Sequence, residues 1–236
     1  MSRDSCVDRS RTMLHISFDF WNTVATANQE YGRQRSIMLA NIFGTTPEIA
    51  QSVYKKVKHE LDQQAENLGI DEGREKNILK LCVAFGMKAD EGIIPLLIAD
   101  RLNCLFADHP PIIEPELITA LHEAKKRGIT LSIGSNTAFI NGRVLNKTII
   151  GSLPFDFEVY SDNIGYSKPN PLFFEAILML AKICNSDIRT TKDIVHIGDN
   201  PICDIDGASK AGMRTVRVQD ARETVKAVND LLMENV

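Results

Sequence analysis

The stretch His15-Ile16-Ser17-Phe18-Asp19-Phe20-Trp21-Asn22-Thr23 decides how the rest of the chain is read. The run from Met13 to Phe18 is short and largely apolar, the pattern of a buried strand. It stops on a carboxylate, and Asn22 and Thr23 then turn the chain. In an open parallel sheet, ligands bind beyond the carboxyl ends of the strands. Asp19 is therefore expected at the lip of the sheet, facing a crevice. A strand-ending Asp that only caps a loop would look the same, so Asp19 has to be read together with the other strand ends.

Downstream of Thr23 the pattern is helical for a long way. Gln29 to Phe43 places Ile37, Met38, Ile42 and Phe43 at helical spacing, and Gly44 closes the helix. Thr46-Pro47-Glu48 starts a second helix: a capping hydroxyl, a proline at the first helical position, then an acid near the positive end of the dipole. This helix is expected to run to about Asn67. A third covers about Arg74 to Phe85 and a fourth about Glu91 to Phe106, with Pro95 in its first turn.

From Pro115 onward, helices and short strands alternate. The expected strands are Ile129–Ile133, Phe157–Tyr160, Asp193–Ile197 and Arg214–Val218. The expected helices are Pro115–Arg127, Ala138–Ile150, Pro171–Cys184, Ile205–Ala211 and Ala221–Met233. Alternation of this kind implies a doubly wound parallel α/β sheet with right-handed crossovers. Residues 13–27 and 108–236 then form the core domain, and 28–107 an inserted all-helical domain over the strand ends. Residues 1–12 are polar, without a signal-peptide core, and are expected to be a flexible tail.

Bulk composition narrows the function class. The 236 residues are 44% hydrophobic, enough for a sizeable core. A net charge of -4 gives no basic footprint, which argues against nucleic acid as partner. No apolar run is long enough to span a membrane, and a cytoplasmic location is expected. The five cysteines are scattered and lack CxxC spacing, consistent with free thiols in a reducing compartment. Either a monomer or a homodimer is compatible with the mixed surface.

Four strands end in polar groups suited to phosphate chemistry. Asp19 ends the first, Ser135 and Asn136 the second, Lys168 follows the third, and Asp199 and Asp204 follow the fourth. A carboxylate can attack phosphorus or carbon and form a covalent intermediate. Two further carboxylates beside it call for a cation, and Mg²⁺ suits hard oxygen ligands. Lys168 would face the phosphoryl oxygens, with hydrogen bonds from the Ser135 hydroxyl and the Asn136 amide.

With these residues in place, the sequence resembles the haloacid dehalogenase (HAD) superfamily of hydrolases. The first motif of that family is similar to Asp19-Phe20-Trp21-Asn22-Thr23, and the second resembles the strand running into Ser135-Asn136-Thr137. The third resembles Ser167-Lys168-Pro169, and the fourth Gly198-Asp199, Asp204, Gly207-Ala208 and Ala211-Gly212. The resemblance implies a sheet order 5-4-1-2-3 and a helical cap of the C1 type. It further implies Asp19 as nucleophile, Ser135 and Lys168 as catalytic groups, and Mg²⁺ held by Asp19, Asp199, Asp204 and the Trp21 carbonyl. Trp21, Asn22, Thr23 and Asn136 are then expected around a small phosphorylated substrate.

Trp21 departs from the pattern. Phosphatases of the family carry a second Asp there, which protonates the leaving group and then activates water. Indole cannot act as a general acid or base near neutral pH, and losing such a group typically costs about 10²–10⁴-fold in rate. Three readings stay open: a Mg²⁺-dependent phosphatase working on good leaving groups, a metal- and phosphate-binding module without turnover, and a carbon–halogen hydrolase. The 2-haloacid dehalogenases also place an aromatic residue at this position, but their fourth motif lacks the metal-binding Gly-Asp that is present here as Gly198-Asp199.

Overall fold

The computed structural model describes residues 13–88 and 92–234. The expected tail, Cys6 and the expected helix start at Glu91 lie outside these residues. Strand β1 (His15–Phe18) is central in a five-stranded parallel sheet, between β2 (Thr130–Ser135) and β4 (Ile194–Gly198). β3 (Phe157–Tyr160) and β5 (Arg214–Arg217) form the edges, giving the order β3-β2-β1-β4-β5, the order implied by the resemblance read in reverse. Phe18 is level with Ile133 and Ile197. The next residue in each strand or loop, Asp19, Gly134 or Gly198, therefore falls in one row at the carboxyl edge. The Asp19 amide extends the pairing by donating to the Ile197 carbonyl at 2.8 Å.

Four helices lie between β1 and the return to the sheet. They are α1 (Gln29–Phe43), α2 (Pro47–Leu68), α3 (Arg74–Ala84) and α4 (Ile94–Asp108). They start and stop for local reasons. Asn28 caps α1 by accepting from the Glu30 amide, Thr46 caps α2 by accepting from the Ile49 amide, and Pro47 opens α2. Gly44 and Gly69 end α1 and α2 in the left-handed conformation. Leu39, Leu81, Ile98 and Leu102 are fully enclosed where the four helices pack together. The sheet is flanked by α5 (Pro115–Lys126), α6 (Gly142–Thr148), α8 (Pro171–Cys184) and α10 (Ala221–Glu234), with short turns α7 (Ser161–Ile164) and α9 (Gly207–Lys210) between strands.

Two expected helices are shorter or shifted. α6 starts at Gly142 rather than Ala138, because Asn141 caps it through the Val144 amide and Ala138–Ile140 is used as a packing loop. Phe139 is buried there, its ring tilted against Tyr54 with the centroids 4.8 Å apart, and its carbonyl accepts from Arg74 Nε at 2.8 Å. The helix expected from Ile205 instead begins as a wide turn over Pro201–Asp206. Asn200 sets that start by accepting from the amides of Ile202 and Cys203.

Helices α2 and α3 are tied to the core by the loop between them. Asp71 accepts from the Ser161 hydroxyl at 2.5 Å and from the Gly73 amide at 2.8 Å. The Gly69 carbonyl accepts from the Ser167 amide at 3.0 Å and from the Asn170 side chain at 3.1 Å. Asn200 Nδ2 donates to Glu66 Oε1 at 2.9 Å. The insertion is thereby held over the carboxyl ends of β3 and β4. No helix among the described residues is long and apolar enough to cross a membrane.

Candidate active site

Asp19 lies just past β1, 8% exposed. Residues 20–25 form a tight turn, with the Val24 and Ala25 amides both donating to the Phe20 carbonyl. Asn22 takes the left-handed conformation at φ 58°, which Asn tolerates better than most residues. Its amide donates to Asp199 Oδ2 at 2.9 Å, joining the first and fourth strand ends. Asn22 is thus an exposed brace for a carboxylate. Thr23 is fully buried, and its hydroxyl is without a hydrogen-bond partner among the described residues. The structure places it behind the site rather than on an open face.

Lys168 is the hub. Its ammonium donates to Asp19 Oδ1 at 2.7 Å, Asp204 Oδ1 at 2.7 Å and the Gly134 carbonyl at 2.6 Å, so all three protons are used. The residue is 1% exposed. Burial opposes its charge, yet Asp19 and Asp204 together hold its pKa above the ordinary lysine value. Asn136 fixes the backbone that carries it: Oδ1 accepts from the Lys168 amide at 2.7 Å and Nδ2 donates to the Lys168 carbonyl at 2.9 Å. Asn136, expected beside substrate, thus positions Lys168 through its amide and also lines the cavity between core and insertion.

Asp204 spends both oxygens. Oδ1 accepts from Lys168 and lies 3.2 Å from His196 Nε2, while Oδ2 accepts from the Asn200 amide at 3.0 Å. Gly198 is required beneath it, since a Cβ at that position would lie 2.3 Å from the Asp204 carboxyl carbon. Asp206, two residues on, is exposed at the surface.

The charges are unequal in number. Burial works against ionisation of Asp204, but Lys168 and His196 outweigh it and depress its pKa. Asp19 is left with less compensation, and burial, offset in part by Lys168, pushes its carboxyl up to about 7. Burial also raises Asp199. Asp19, Asp199 and Asp204 each present an oxygen within 4.8 Å of the others. Three carboxylates against one ammonium leave a surplus of negative charge that a divalent cation would neutralise, and hard oxygen donors fit Mg²⁺. Asp19 Oδ2 and Asp199 Oδ1 carry no hydrogen bond among the described residues, so they are the oxygens best placed to hold it.

Ser135 is fully buried with its hydroxyl 3.4 Å from the Asn136 carbonyl. Trp21 is half-buried, edge-on to Phe20 at 4.9 Å and to Phe106 of α4 at 6.2 Å. It stands where the core meets the insertion. Cys203 donates to the Lys168 carbonyl at 3.2 Å, and burial pushes its thiol up to about 12, so it is a poor nucleophile.

Behind the carboxylates runs a buried polar row that sequence reasoning did not single out. His196 Nδ1 lies 3.1 Å from the Ser17 hydroxyl. His15 is bracketed by the hydroxyls of Thr130 and Ser132, both at 2.8 Å, and stacks on Phe157. Burial lowers the pKa of His15 to about 3 and also lowers that of His196. The available signal was register: Ser132, Ser17 and His196 occupy one level across β2, β1 and β4.

The comparisons agree with this geometry. The sequence profile of a family described as HAD-hydrolase-like matches residues 165–233, which include the Lys168 loop and the Asp199–Asp204 turn. Over 116 residues the chain is 31% identical to the human haloacid dehalogenase-like hydrolase domain-containing protein 3, covering 47% of this chain and 41% of that protein. Over 108 residues it is 34% identical to glyceraldehyde 3-phosphate phosphatase of Methanopyrus kandleri, covering 44% of this chain and 42% of that protein. The matched stretch is thus less than half the length of each curated relative. Among solved structures, the fold matches the HAD-hydrolase YfnB of Bacillus subtilis bound to magnesium, with TM-score 0.68 at 18% identity over 92% of this chain and 99% of that one. It also matches a 2-haloacid dehalogenase from Pseudomonas syringae, with TM-score 0.64 at 18% identity over 95% of this chain and 100% of that one. The sheet topology and the likeness to these structures give the chain the haloacid dehalogenase-like fold, and its residues 165–233 match the HAD-hydrolase-like family.

Proposed function

We propose that this protein is a Mg²⁺-dependent phosphatase acting on a small phosphorylated metabolite through Asp19. The observation that carries the reading is the surplus of carboxylate around one lysine: Asp19, Asp199 and Asp204 within 4.8 Å, and Lys168 alone between Asp19 and Asp204. Carbon–halogen hydrolysis needs no such acidic cluster. The Mg²⁺ named by this reading would supply charge neutralisation and orientation of a phosphoryl oxygen, held by Asp19, Asp199, Asp204 and the Trp21 carbonyl.

A carboxylate oxygen of Asp19 attacks phosphorus, the bond to the leaving oxygen breaks, and an aspartyl-phosphate forms. Water then attacks that phosphorus, releasing inorganic phosphate, returning the Asp19 carboxylate and passing its proton to solvent. Lys168 holds Asp19 in place and offsets the charge of the phosphoryl group. With Trp21 where an acid would stand, the leaving oxygen departs without a proton from that position. Acyl and aryl phosphates, whose leaving groups are weak bases, fit this best.

Trp21 also favours a second reading, a module that binds metal and phosphate without turnover. Beryllofluoride with Mg²⁺ mimics a phosphoryl group on a carboxylate and tests the assembled site. The phosphatase reading expects it to raise the melting temperature of the wild type but not of Asp19→Asn. An equal shift in both proteins, or none in either, would exclude Asp19 as the acceptor. Turnover on acyl phosphates separates the two readings.

A further inference from the structure

A cavity of about 260 Å³ opens between the catalytic loops and the helical insertion. Trp21 and Asn136 line it on the core side, so it begins beside the amide that holds the Lys168 backbone. Its size suits a small metabolite rather than a large ligand. The basic groups on the wall are Arg35 of α1, Lys58 of α2 and His109, and among the described residues the wall carries no carboxylate. The cavity therefore has the opposite polarity to the acidic cluster next to it.

Two of its buried polar atoms are left with spare hydrogen-bonding capacity among the described residues. Arg35 Nε is shielded from solvent yet has no hydrogen-bond acceptor among the described residues, and the buried hydroxyl of Tyr31, a residue 8% exposed, faces the Arg35 side chain and meets no other partner there. Buried polar groups are normally paired, because leaving one unpaired is costly. The Arg35 guanidinium is held in place by aromatic faces, 3.6 Å over the Tyr54 ring and 5.2 Å from the centre of the Tyr31 ring. A fixed guanidinium with a free N–H, set beside a phenol hydroxyl, can receive anionic oxygen.

We propose that Arg35 and Tyr31 bind a second anionic group, a carboxylate or a second phosphate, at the end of the substrate remote from the phosphoryl group. This inference rests on the phosphatase reading and narrows its substrate class to small phosphorylated acids or bisphosphates. The middle of the substrate then lies between Trp21 and Phe139, which supply apolar walls.

Non-hydrolysable phosphonates test it by calorimetry on the full chain with Mg²⁺. Propylphosphonate offers the phosphoryl-like end alone, 3-phosphonopropionate adds a carboxylate, and propane-1,3-bisphosphonate adds a second phosphonate. The wild type is expected to bind at least one doubly anionic compound about tenfold or more tighter than propylphosphonate, the value of one charge-assisted hydrogen-bonded contact. The preferred compound identifies which anion the site takes. That preference should collapse in Arg35→Met and fall in Tyr31→Phe, which removes one oxygen and keeps the packing if the arginine variant does not fold. Equal binding of all three by the wild type, or a preference untouched by both variants, overturns the inference and leaves the phosphatase reading standing. Failure of every phosphonate to bind overturns both.

Discussion

Asp19 and Asp204 share one cation: Lys168 Nζ is 2.7 Å from an oxygen of each. One ammonium fully compensates one carboxylate. Asp204, which also accepts from the Asn200 amide and faces His196, takes the larger share. Asp19 is left as the carboxylate that still needs positive charge, which suits a group meant to meet a cation and a phosphoryl group.

Lys168→Met keeps an unbranched side chain one atom shorter and removes the charge. Two buried carboxylates then face each other uncompensated, and breaking a buried pair by removing one partner typically costs about 3–5 kcal/mol. The urea midpoint of the metal-free protein should fall accordingly. Added Mg²⁺ should recover more stability in the variant than in the wild type. A midpoint unchanged by the substitution would contradict the shared-cation account.

Mg²⁺ binding should depend on pH through Asp19. The carboxyl titrates at about 7 without metal, and its protonated form must lose the proton before it can ligate. Affinity should rise about tenfold between pH 6 and pH 8, with proton release on binding. Asp19→Asn should bind more weakly and flatten that slope. Calorimetry in buffers of different ionisation enthalpy reads both quantities.

Stability towards acid should depend on the buried histidines. His15 goes from 6.5 in the unfolded chain to about 3 in the folded one. The unfolded state therefore binds the extra proton between these values, and stability is present above 6.5 and lost as pH falls through the interval. One such group contributes a loss of about 2 kcal/mol between pH 6 and pH 4.5. His15→Gln, which can still reach Thr130 and Ser132, should lessen the acid loss by that amount, measured as the difference in unfolding free energy at the two pH values.

The hold of the insertion on the core should be visible through Trp21, the one tryptophan of the chain. Asp71 ties the α2–α3 loop to Ser161, and Trp21 contacts Phe106 on α4. Asp71→Ala removes the acceptor for that hydroxyl and for the Gly73 amide, at a cost of about 1–3 kcal/mol. Acrylamide quenching of Trp21 should increase. Unchanged quenching would mean that Asp71 does not govern closure.

Much of the architecture could be read from the sequence, because hydrophobic period and caps are local. Asn28, Thr46-Pro47 and Gly44 mark helix ends in the chain itself, and α1, α8 and β3 fall where the pattern puts them. α6 was shortened by tertiary demand, since Phe139 is drawn into the core and Arg74 takes its carbonyl. The four strand ends that carry Asp19, Ser135, Lys168 and Asp199 could be identified because each terminates or follows an apolar strand. What each side chain does there was less legible. Asn136, 32 residues from Lys168, and Asn22, 177 residues from Asp199, act on partners that only the sheet order brings close. Arg35 and Tyr31 gave no signal beyond their polarity, because their spare hydrogen-bonding capacity is a property of the assembled cavity.

The most direct test of the central claim is release of inorganic phosphate from acyl and aryl phosphates, with Mg²⁺ and with EDTA, by the wild type, Asp19→Asn and Trp21→Asp. The account predicts Mg²⁺-dependent release by the wild type and its loss in Asp19→Asn. It also predicts that alkyl phosphates, which need a proton on departure, gain in Trp21→Asp by about 10²-fold or more. Release that survives EDTA or Asp19→Asn would contradict the account, as would silence of both the wild type and Trp21→Asp on every phosphate offered.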